Sequence, residues 1–208
     1  MASMRDDTVY WSGTISTFKP ASRAVFSVMG PMQALVADRL RPANLGEVIG
    51  QDHLTGPEGA IGRMVAAGRL SSMILWGPPG TGKTTIARLL ADSVGMRFES
   101  VSAVFSGVAD LKKAFAAADK AADAGQRTLL FVDEIHRFNR AQQDGFLPFV
   151  ERGTVTLVGA TTENPSFALN AALLSRAQVL ILQRLDREAL GQLLTRAEEL
   201  EGPLPLTG

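Results

Sequence analysis

A glycine-rich segment, GPPGTGKTT at residues 77–85, has the residue types and spacing that most clearly indicate phosphate chemistry. It satisfies G-x-x-x-x-G-K-[ST] and lies between an apolar run and a helical pattern, the context in which such a loop holds phosphate. Glycines let backbone N–H groups converge on phosphate oxygens, while Lys83 adds positive charge and Thr84 offers a hydroxyl to Mg²⁺. A turn rich in Gly and Pro that fits by chance is the alternative, which the flanking patterns disfavour. The nucleotide-binding residues predicted from this segment are Gly77, Pro78, Pro79, Gly80, Thr81, Gly82, Lys83, Thr84 and Thr85.

A second segment, LLFVDEIHRF at residues 129–138, ends an apolar run in two carboxylates. We predict that Asp133 holds the hydration shell of the Mg²⁺ and that Glu134 deprotonates the water that attacks the γ-phosphoryl group. On its own, an Asp-Glu pair after a strand is more often a solvated turn. Because this pair follows the phosphate-binding loop by about fifty residues, the pattern favours catalysis.

A third segment, GATTENPS at residues 159–166, ends another apolar run in polar residues. Residues just beyond the carboxyl ends of parallel strands line the ligand crevice of such sheets. Thr161, Thr162 and Asn164 are therefore candidates to hydrogen-bond the γ-phosphate or the attacking water. The alternative is that Asn164 and Pro165 only begin a turn.

Arg176 stands in LLSRA, directly before the apolar run QVLIL at residues 178–182, which we expect to be buried. An arginine in this position either pairs within its own fold or reaches a group outside it. The residues alone leave both interpretations open.

The elements that must position these residues alternate along the chain. Apolar strands are predicted at 71–77, 98–102, 128–133, 154–160 and 178–182. Helical patterns lie between them, at 83–94, 109–125, 140–152 and 169–174, with others at 59–70 and 185–202. Strands that are apolar almost throughout and separated by helices are typical of a parallel sheet covered on both faces. We therefore predict an α/β fold with a parallel five-stranded sheet in a three-layer sandwich.

The composition excludes several classes of function. The 208 residues are 46% hydrophobic, which is enough for a substantial core, and no apolar run approaches the roughly 20 residues of a membrane span. There is no cysteine and there are two histidines, so neither a disulfide nor a zinc site is favoured, and His136 is interpreted as a hydrogen-bonded residue at a helix start. We expect a cytoplasmic protein. Since basic and acidic residues are equal at 21 each, any contact with DNA must be local or lie outside this chain.

The chain is divided by composition into three parts. Residues 1–30 mix Ser, Thr and isolated aromatics without a periodic pattern, and we interpret them as a disordered leader or tag. Residues 31–184 contain the alternating elements and all the candidate site residues. Residues 185–208 begin with an amphipathic helical pattern, which we interpret as the start of a truncated helical lid domain.

These motifs, with RLRPANLGEVIGQDHL at 39–54, SAVFSGV at 102–108 and the segment from 129 to 179, resemble the AAA+ ATPases. Within them the chain is most similar to the clamp-loader-like branch and to the replication-associated recombination protein A family (RarA or MgsA), whose eukaryotic counterpart is the Werner-helicase-interacting ATPase. The phrases HRFNRAQQD and GATTENPSF are far more specific than a phosphate-binding loop. The resemblance covers residues 38–200.

The resemblance implies the P-loop ATPase fold, ATP and Mg²⁺ as ligands, and several residue roles. Val48 and Ile49 would contact the adenine, and Asn164 would sense the γ-phosphate. Arg176 would be an arginine finger that acts in trans, at the nucleotide of a neighbouring subunit. Lys83 and Glu134 keep the roles given above.

At the level of biology, the resemblance implies a DNA-dependent ATPase in replication-fork maintenance, recombination and DNA repair. Such proteins are nucleoid-associated homo-oligomers that act on single-stranded or forked DNA, with single-stranded-DNA-binding protein as a candidate partner. Two alternatives stay open. One is a nucleotide-binding fragment with little turnover, because the lid is incomplete here; the other is a motor of the Holliday-junction branch-migration type.

Overall fold

Five apolar runs form one parallel sheet in the computed structural model, which describes residues 40–202. The strands are β1 (Met73–Trp76), β2 (Arg97–Ser102), β3 (Thr128–Asp133), β4 (Val155–Thr161) and β5 (Gln178–Ile181), in the order β2-β3-β4-β1-β5. All neighbouring pairs are parallel. The predicted leader at 1–30 and the first residues of the predicted core lie outside the described range.

Two helices, one on each face of the sheet, show why the strands are apolar on both sides. On one face, Ile86 and Leu90 of α3 (Lys83–Ser93) pack in the same cluster as Phe131. On the other face, Leu111 and Phe115 of α4 (Val108–Asp123) pack with Leu130, the strand neighbour of Phe131. Since successive strand residues point to opposite faces, both sides of each central strand must be apolar. The predicted three-layer α/β sandwich is confirmed.

The remaining helices are short except for the last. They are α1 (Asp52–Thr55), α2 (Ala60–Ala66), α5 (Arg140–Asp144), α6 (Leu147–Glu151), α7 (Pro165–Ala168), α8 (Ala171–Leu174) and α9 (Arg187–Glu201). Two 3₁₀ turns, Leu45–Glu47 and Ile135–Arg137, complete the described elements. Within residues 40–202, no helix combines the length and apolarity needed to cross a membrane.

The prediction of a single helix over 140–152 is wrong, because the chain forms α5 and α6 with a break between them. Pro148 lies in the first turn of α6 and has no N–H to donate to the carbonyl of Asp144. Its ring would also clash with that carbonyl in a continuous helix, so a new helix begins after Gly145.

The expectation that the run QVLIL is buried is also wrong for most of it. Among the described strands, β5 lies at the edge of the sheet and pairs with β1 alone. Val179 is 40% exposed and Ile181 is 55% exposed, whereas Leu180 and Leu182 are buried in the core. An edge strand with one uncovered face has the alternating exposure seen here.

Candidate nucleotide site

The three motifs meet at one edge of the sheet, where β1, β4 and β3 end side by side. The phosphate-binding loop follows β1, the acidic pair closes β3, and the polar segment after β4 lies between them because β4 is the middle strand of the three. The amide of Gly77 donates to the carbonyl of Thr161 at 3.2 Å, which ties the loop to the end of β4. The topology thus brings together residues that are about fifty to ninety positions apart in sequence.

The loop at residues 77–82 has the backbone shape of an open cradle. Gly80 and Gly82 have φ values of +79° and +87°, in the left-handed region that favours glycine. A Cβ placed on either residue would find no heavy atom within 4 Å, so the space above the loop is empty. The loop leads into the N-terminus of α3, whose free amides favour an anion.

Lys83, the first residue of α3, is buried and lies over the loop. Its Nζ donates to the carbonyls of Gly77 and Pro78, both at 2.8 Å. An ammonium has three hydrogens, so one donor remains for a phosphate oxygen. Burial lowers the pKa of Lys83, while the nearby charges of Glu134 and Asp133 oppose that shift. Lys83 is therefore near enough to the acidic pair for their charges to act on it.

Asp133 responds to the same environment in the opposite sense. Burial raises the pKa of its carboxyl group, the negative charge of Glu134 adds to the rise, and the ammonium of Lys83 is among the groups that oppose it. A carboxyl group held in this way is poised to interact with a cation. Thr84 is exposed beside Lys83 and presents its hydroxyl at the same edge.

Glu134 has an unusual backbone conformation, with φ 53° and ψ 45°. Among the described residues it is the one non-glycine residue with positive φ. Such a conformation is unfavourable by about 1–3 kcal/mol and is found most often at functional sites. It turns the chain sharply after β3, and Oε2 of the Glu134 carboxylate lies 3.5 Å from the Thr162 hydroxyl and 3.3 Å from Nε2 of His136.

His136 belongs to this site, a role that its interpretation as a helix-start residue missed. It lies in the middle of the 3₁₀ turn Ile135–Arg137, and its side chain is only 5% exposed. Nδ1 is 2.9 Å from the hydroxyl of Thr161, and Nε2 is 3.3 Å from Oε1 of Glu163 as well as from Glu134. The sequence signal available was a histidine two residues after the acidic pair.

Asn164 lies in the turn after β4, exposed at the same edge of the sheet. Its Oδ1 accepts from the amide of Ser166 at 3.0 Å and caps α7. The predicted turn role of Asn164 and Pro165 is therefore real, and the side-chain Nδ2 is the atom that would reach a phosphate. Thr161 is fully buried, whereas Thr162 is exposed and faces Glu134.

The segment predicted to contact adenine packs against the chain that follows β5. Val48 is buried in the core and Ile49 is half-buried. The buried side chain of Gln51 donates to the carbonyl of Gln183 at 2.8 Å and accepts from its amide at 3.1 Å. Glu47 and Arg196 of α9 form an ion pair at 2.6 Å on the same side. Sequence reasoning did not find these two links, because each joins residues more than 130 positions apart.

Arg176 is exposed at the start of the chain segment that leads into β5. Its guanidinium pairs with Glu151 of α6 at 2.7 Å and donates to the carbonyl of Ala172 at 2.8 Å. The interpretation that Arg176 pairs within its own fold is therefore correct for this chain by itself. Because the pair is 39% and 50% exposed, water screens it and its contribution to stability is small.

The residues present fit a nucleotide phosphate chain with its metal. The backbone at Gly80 and Gly82 is not crowded by other atoms. The third donor of Lys83 provides a positive group for phosphate, and the acidic pair provides negative groups for a cation. Within residues 40–202, no three or more acidic or histidine side chains are arranged so that they could bind a metal ion without other ligands. Mg²⁺ commonly binds through one or two protein oxygens plus phosphates, which is what Thr84 and Asp133 can provide.

Comparison with known proteins agrees with this geometry. The profile of the ATPase family associated with various cellular activities (AAA) matches residues 73–185. The chain is 54% identical over 164 residues to Replication-associated recombination protein A of Escherichia coli K12, covering 79% of this chain and 37% of that protein. It is 43% identical over 167 residues to ATPase WRNIP1 of Dictyostelium discoideum, covering 80% of this chain and 19% of that protein. The expected resemblance to the replication-associated recombination protein A family is confirmed.

Among solved structures, the chain is similar to the Thermotoga maritima RuvB Holliday junction branch migration motor. The TM-score is 0.63 at 30% identity, covering 77% of this chain and 54% of that one. The chain spans little more than a third of the length of its Escherichia coli relative. The family profile covers more than half of the chain and includes the phosphate-binding loop, the acidic pair and Arg176, so this chain belongs to the AAA family of ATPases.

Proposed function

We propose that this chain binds ATP with Mg²⁺ and hydrolyses it to ADP and phosphate at the edge formed by β1, β4 and β3. The observation that supports the proposal is that the phosphate-binding loop, the acidic pair and the polar turn follow the adjacent strands β1, β3 and β4. The charges of Asp133 and Glu134 also act on Lys83. The amides of residues 80–84 and the third donor of Lys83 would bind the phosphates. Val48 and Ile49 would lie against the adenine.

In the proposed reaction, Glu134 accepts a proton from a water molecule. The water oxygen bonds to the γ-phosphorus while the bond from that phosphorus to the bridging oxygen breaks, which leaves ADP and inorganic phosphate. Mg²⁺, when held by Thr84 and through water by Asp133, neutralises charge on the phosphate oxygens. Asn164, with Thr162 beside it, would hydrogen-bond the γ-phosphate or the water.

Arg176 is proposed to complete the site of a neighbouring subunit. An arginine supplied in this way stabilises charge on the transferring phosphoryl group. The exposed pair with Glu151 is weak enough to exchange for a phosphate partner, to which a guanidinium binds strongly. Oligomers of the complete protein would then couple hydrolysis to single-stranded or forked DNA in replication-fork maintenance, recombination and repair, with single-stranded-DNA-binding protein as a candidate partner.

Two other functions have specific support. The likeness to a RuvB branch migration motor favours a motor of that type, although the sequence identity to the replication-associated recombination protein A of Escherichia coli is higher, 54% against 30%. A chain that binds nucleotide with little turnover is the other, which is favoured if Arg176 stays paired with Glu151 of its own chain.

Two substitutions separate binding from hydrolysis. Lys83→Ala removes the phosphate-binding charge and should abolish ATP binding in an equilibrium titration. Glu134→Gln removes only the base, so ATP should still bind while the rate of hydrolysis falls by about 100-fold or more. Lys112→Ala, on the exposed face of α4, is the matched control for loss of a lysine and should change neither quantity. Equal ATP affinity in wild type and Lys83→Ala would refute the site.

If ATP binds with the expected dependence on Lys83 but neither wild type nor Glu134→Gln hydrolyses it, the binding fragment is the correct description. Steady-state hydrolysis should be compared with and without single-stranded DNA. The same comparison should be made for a chain extended to the length of the relatives, since DNA stimulation is a property proposed for the oligomer.

A further inference from the structure

The imidazole of His136 connects two strand ends of the proposed site. Its ring lies between the acidic pair after β3 and the turn after β4, and its side chain is 5% exposed. Both ring nitrogens face polar groups: Nδ1 faces the Thr161 hydroxyl at 2.9 Å, and Nε2 faces carboxylate oxygens of Glu134 and Glu163, each at 3.3 Å. A buried ring with both nitrogens engaged has a defined orientation.

The partners also determine which nitrogen carries the hydrogen. Carboxylates only accept, so the nitrogen that faces two of them, Nε2, must carry a hydrogen. Thr161 Oγ1 accepts from the amide of Glu163 at 3.0 Å, and its own proton can be donated either to Nδ1 at 2.9 Å or to the Glu163 carbonyl. The carbonyl of Glu163 is farther from that hydroxyl, at 3.2 Å. The arrangement therefore requires a hydrogen on Nε2, directed at the carboxylates.

Within residues 40–202, the two side-chain contacts described for the Glu134 carboxylate both involve the same oxygen, Oε2. His136 Nε2 lies 3.3 Å from Oε2, and the Thr162 hydroxyl lies 3.5 Å from the same atom. Both distances are at the long end for hydrogen bonds, as is common at catalytic groups before the substrate is bound. Oε1 makes neither of these contacts, so it is the oxygen left to face a water molecule.

We propose that His136 is a positioning residue for the catalytic carboxylate: its Nε2 hydrogen anchors Glu134 Oε2, and this leaves Oε1 to take the proton of the attacking water. This inference rests on the proposed hydrolysis. Thr161 acts one step farther out, because its hydroxyl fixes the ring orientation and the position of the hydrogen. Glu163, two residues after Thr161, competes with Glu134 for the hydrogen on His136 Nε2. The position of the turn that carries Asn164 therefore affects how firmly His136 anchors Glu134.

The test compares two amides at residue 136 that differ in where they place a donor. The Gln amide nitrogen falls near the position of Nε2, whereas the shorter Asn amide reaches only the position of Nδ1. We expect His136→Asn to lower the single-turnover rate of ATP hydrolysis by about 10- to 100-fold with ATP affinity within about twofold of wild type. His136→Gln should recover most of the rate. His53→Asn, at the other histidine, is the matched control and should keep the wild-type rate.

A purely structural role for His136 predicts a different pattern. Both variants would then lose thermal stability and ATP affinity together, and Gln would not restore the rate selectively. Equal losses in Asn and Gln, or a wild-type rate in His136→Asn, would overturn the proposal. If wild type and Glu134→Gln hydrolyse ATP equally, the proposed function fails instead, and that result is distinct from either outcome at residue 136.

A second measurement does not depend on activity. The nitrogen NMR signals of the His136 ring report which nitrogen carries hydrogen. We expect hydrogen on Nε2 in wild type, and a weaker preference for Nε2 over Nδ1 in Thr161→Val, where the hydroxyl is lost but the shape is kept. A wild-type ring with hydrogen on Nδ1 alone would contradict the anchoring of Glu134, whatever the rate of hydrolysis.

Discussion

The charged residues of the site lie where burial works against their charge. Lys83 is buried with Nζ bonded to two carbonyls, and Asp133 is half-buried at the end of β3. Burial lowers the pKa of the first and raises the pKa of the second. Each would be stabilised by a ligand of opposite charge, a phosphate for the lysine and a cation for the carboxylate. Burial therefore disfavours the charged forms of both groups, an effect that Mg-ATP would oppose.

A substitution at Asp133 tests this without any nucleotide. The raised pKa means that the folded protein binds the Asp133 proton more tightly than the unfolded chain, so this residue lowers the free energy of unfolding as pH rises above its ordinary value of 3.8. Asp133→Asn should therefore raise the free energy of unfolding at neutral pH, and the gain should shrink at about pH 4, where the carboxyl group regains its proton. Urea denaturation of wild type and Asp133→Asn at neutral pH and at about pH 4 measures the gain at each pH.

Asp119→Asn is the matched control for this experiment. Asp119 lies on α4 with a side chain that is 50% exposed, 3.9 Å from Arg152, and such a pair contributes little. No comparable gain is expected there. A lower free energy of unfolding in Asp133→Asn than in wild type at neutral pH would contradict this account, because it would show that the ionised carboxylate stabilises the folded protein.

At the scale of elements, the phosphate-binding loop depends on backbone shape more than on side chains. Gly82→Ala places a Cβ at φ +87°, in the space proposed for phosphate. The strained conformation should lower the free energy of unfolding by about 1 kcal/mol, and ATP affinity should fall by at least about tenfold because the loop must distort or collide with phosphate. Thermal denaturation and an ATP titration separate the two effects.

Gly95→Ala is the matched control, because Gly95 also has positive φ, +65°, and a Cβ added there would have no heavy atom within 4 Å. It lies after α3, at the opposite end of that helix from the loop. We expect a similar loss of stability with unchanged ATP affinity. If Gly82→Ala and Gly95→Ala lose ATP affinity equally, backbone strain by itself explains the loss, and the proximity of Gly82 to the proposed phosphate position does not.

The elements themselves were largely predictable from the sequence, because apolar runs of strand length and helical periodicity are local properties. The third strand was predicted at 128–133, and β3 has those bounds. The break between α5 and α6 was missed although Pro148 is visible in the sequence. The uncovered face of β5 was missed because strand order, and hence which strand is at the edge, is not a local property.

The predictable part of the site follows the same rule. The loop, the acidic pair and the polar turn were recognised because each is a contiguous motif. The contacts that join different motifs were not, since Gln51 bonds Gln183 and His136 bonds Thr161 across long separations. Contacts of this kind depend on the strand order β3-β4-β1-β5, which only the folded chain defines.

At the scale of the whole molecule, the central question is whether one chain contains a complete site. Arg176 pairs with Glu151 of its own chain, and it is exposed enough to exchange that partner. A mixing experiment tests its action in trans. Arg176→Ala has its own site but lacks the finger, whereas Lys83→Ala has the finger but cannot bind ATP. Each variant alone should be nearly inactive in oligomers assembled on single-stranded DNA, and a mixture of the two should regain hydrolysis.

Arg152→Ala controls for the loss of a surface arginine, since Arg152 lies beside α6 and is 60% exposed. When Arg152→Ala is mixed with Lys83→Ala, the rate of hydrolysis should not exceed the rate expected from the fraction of Arg152→Ala chains in the mixture. The mixture of Arg176→Ala and Lys83→Ala could also remain inactive while wild-type oligomers hydrolyse ATP. In that case Arg176 either acts at the site of its own chain or has a purely structural role.

The convergence of the loop and the acidic pair on one Mg-ATP is tested most directly by the distances around Mg²⁺ in a crystal structure of Glu134→Gln with ATP. We predict the triphosphate against the amides of residues 80–84 and the side chain of Lys83. We also predict Thr84 Oγ1 on the metal at about 2.1 Å and Asp133 bonded to a water of the metal. A triphosphate bound elsewhere, or a metal with neither Thr84 nor Asp133 beside it, would contradict this convergence.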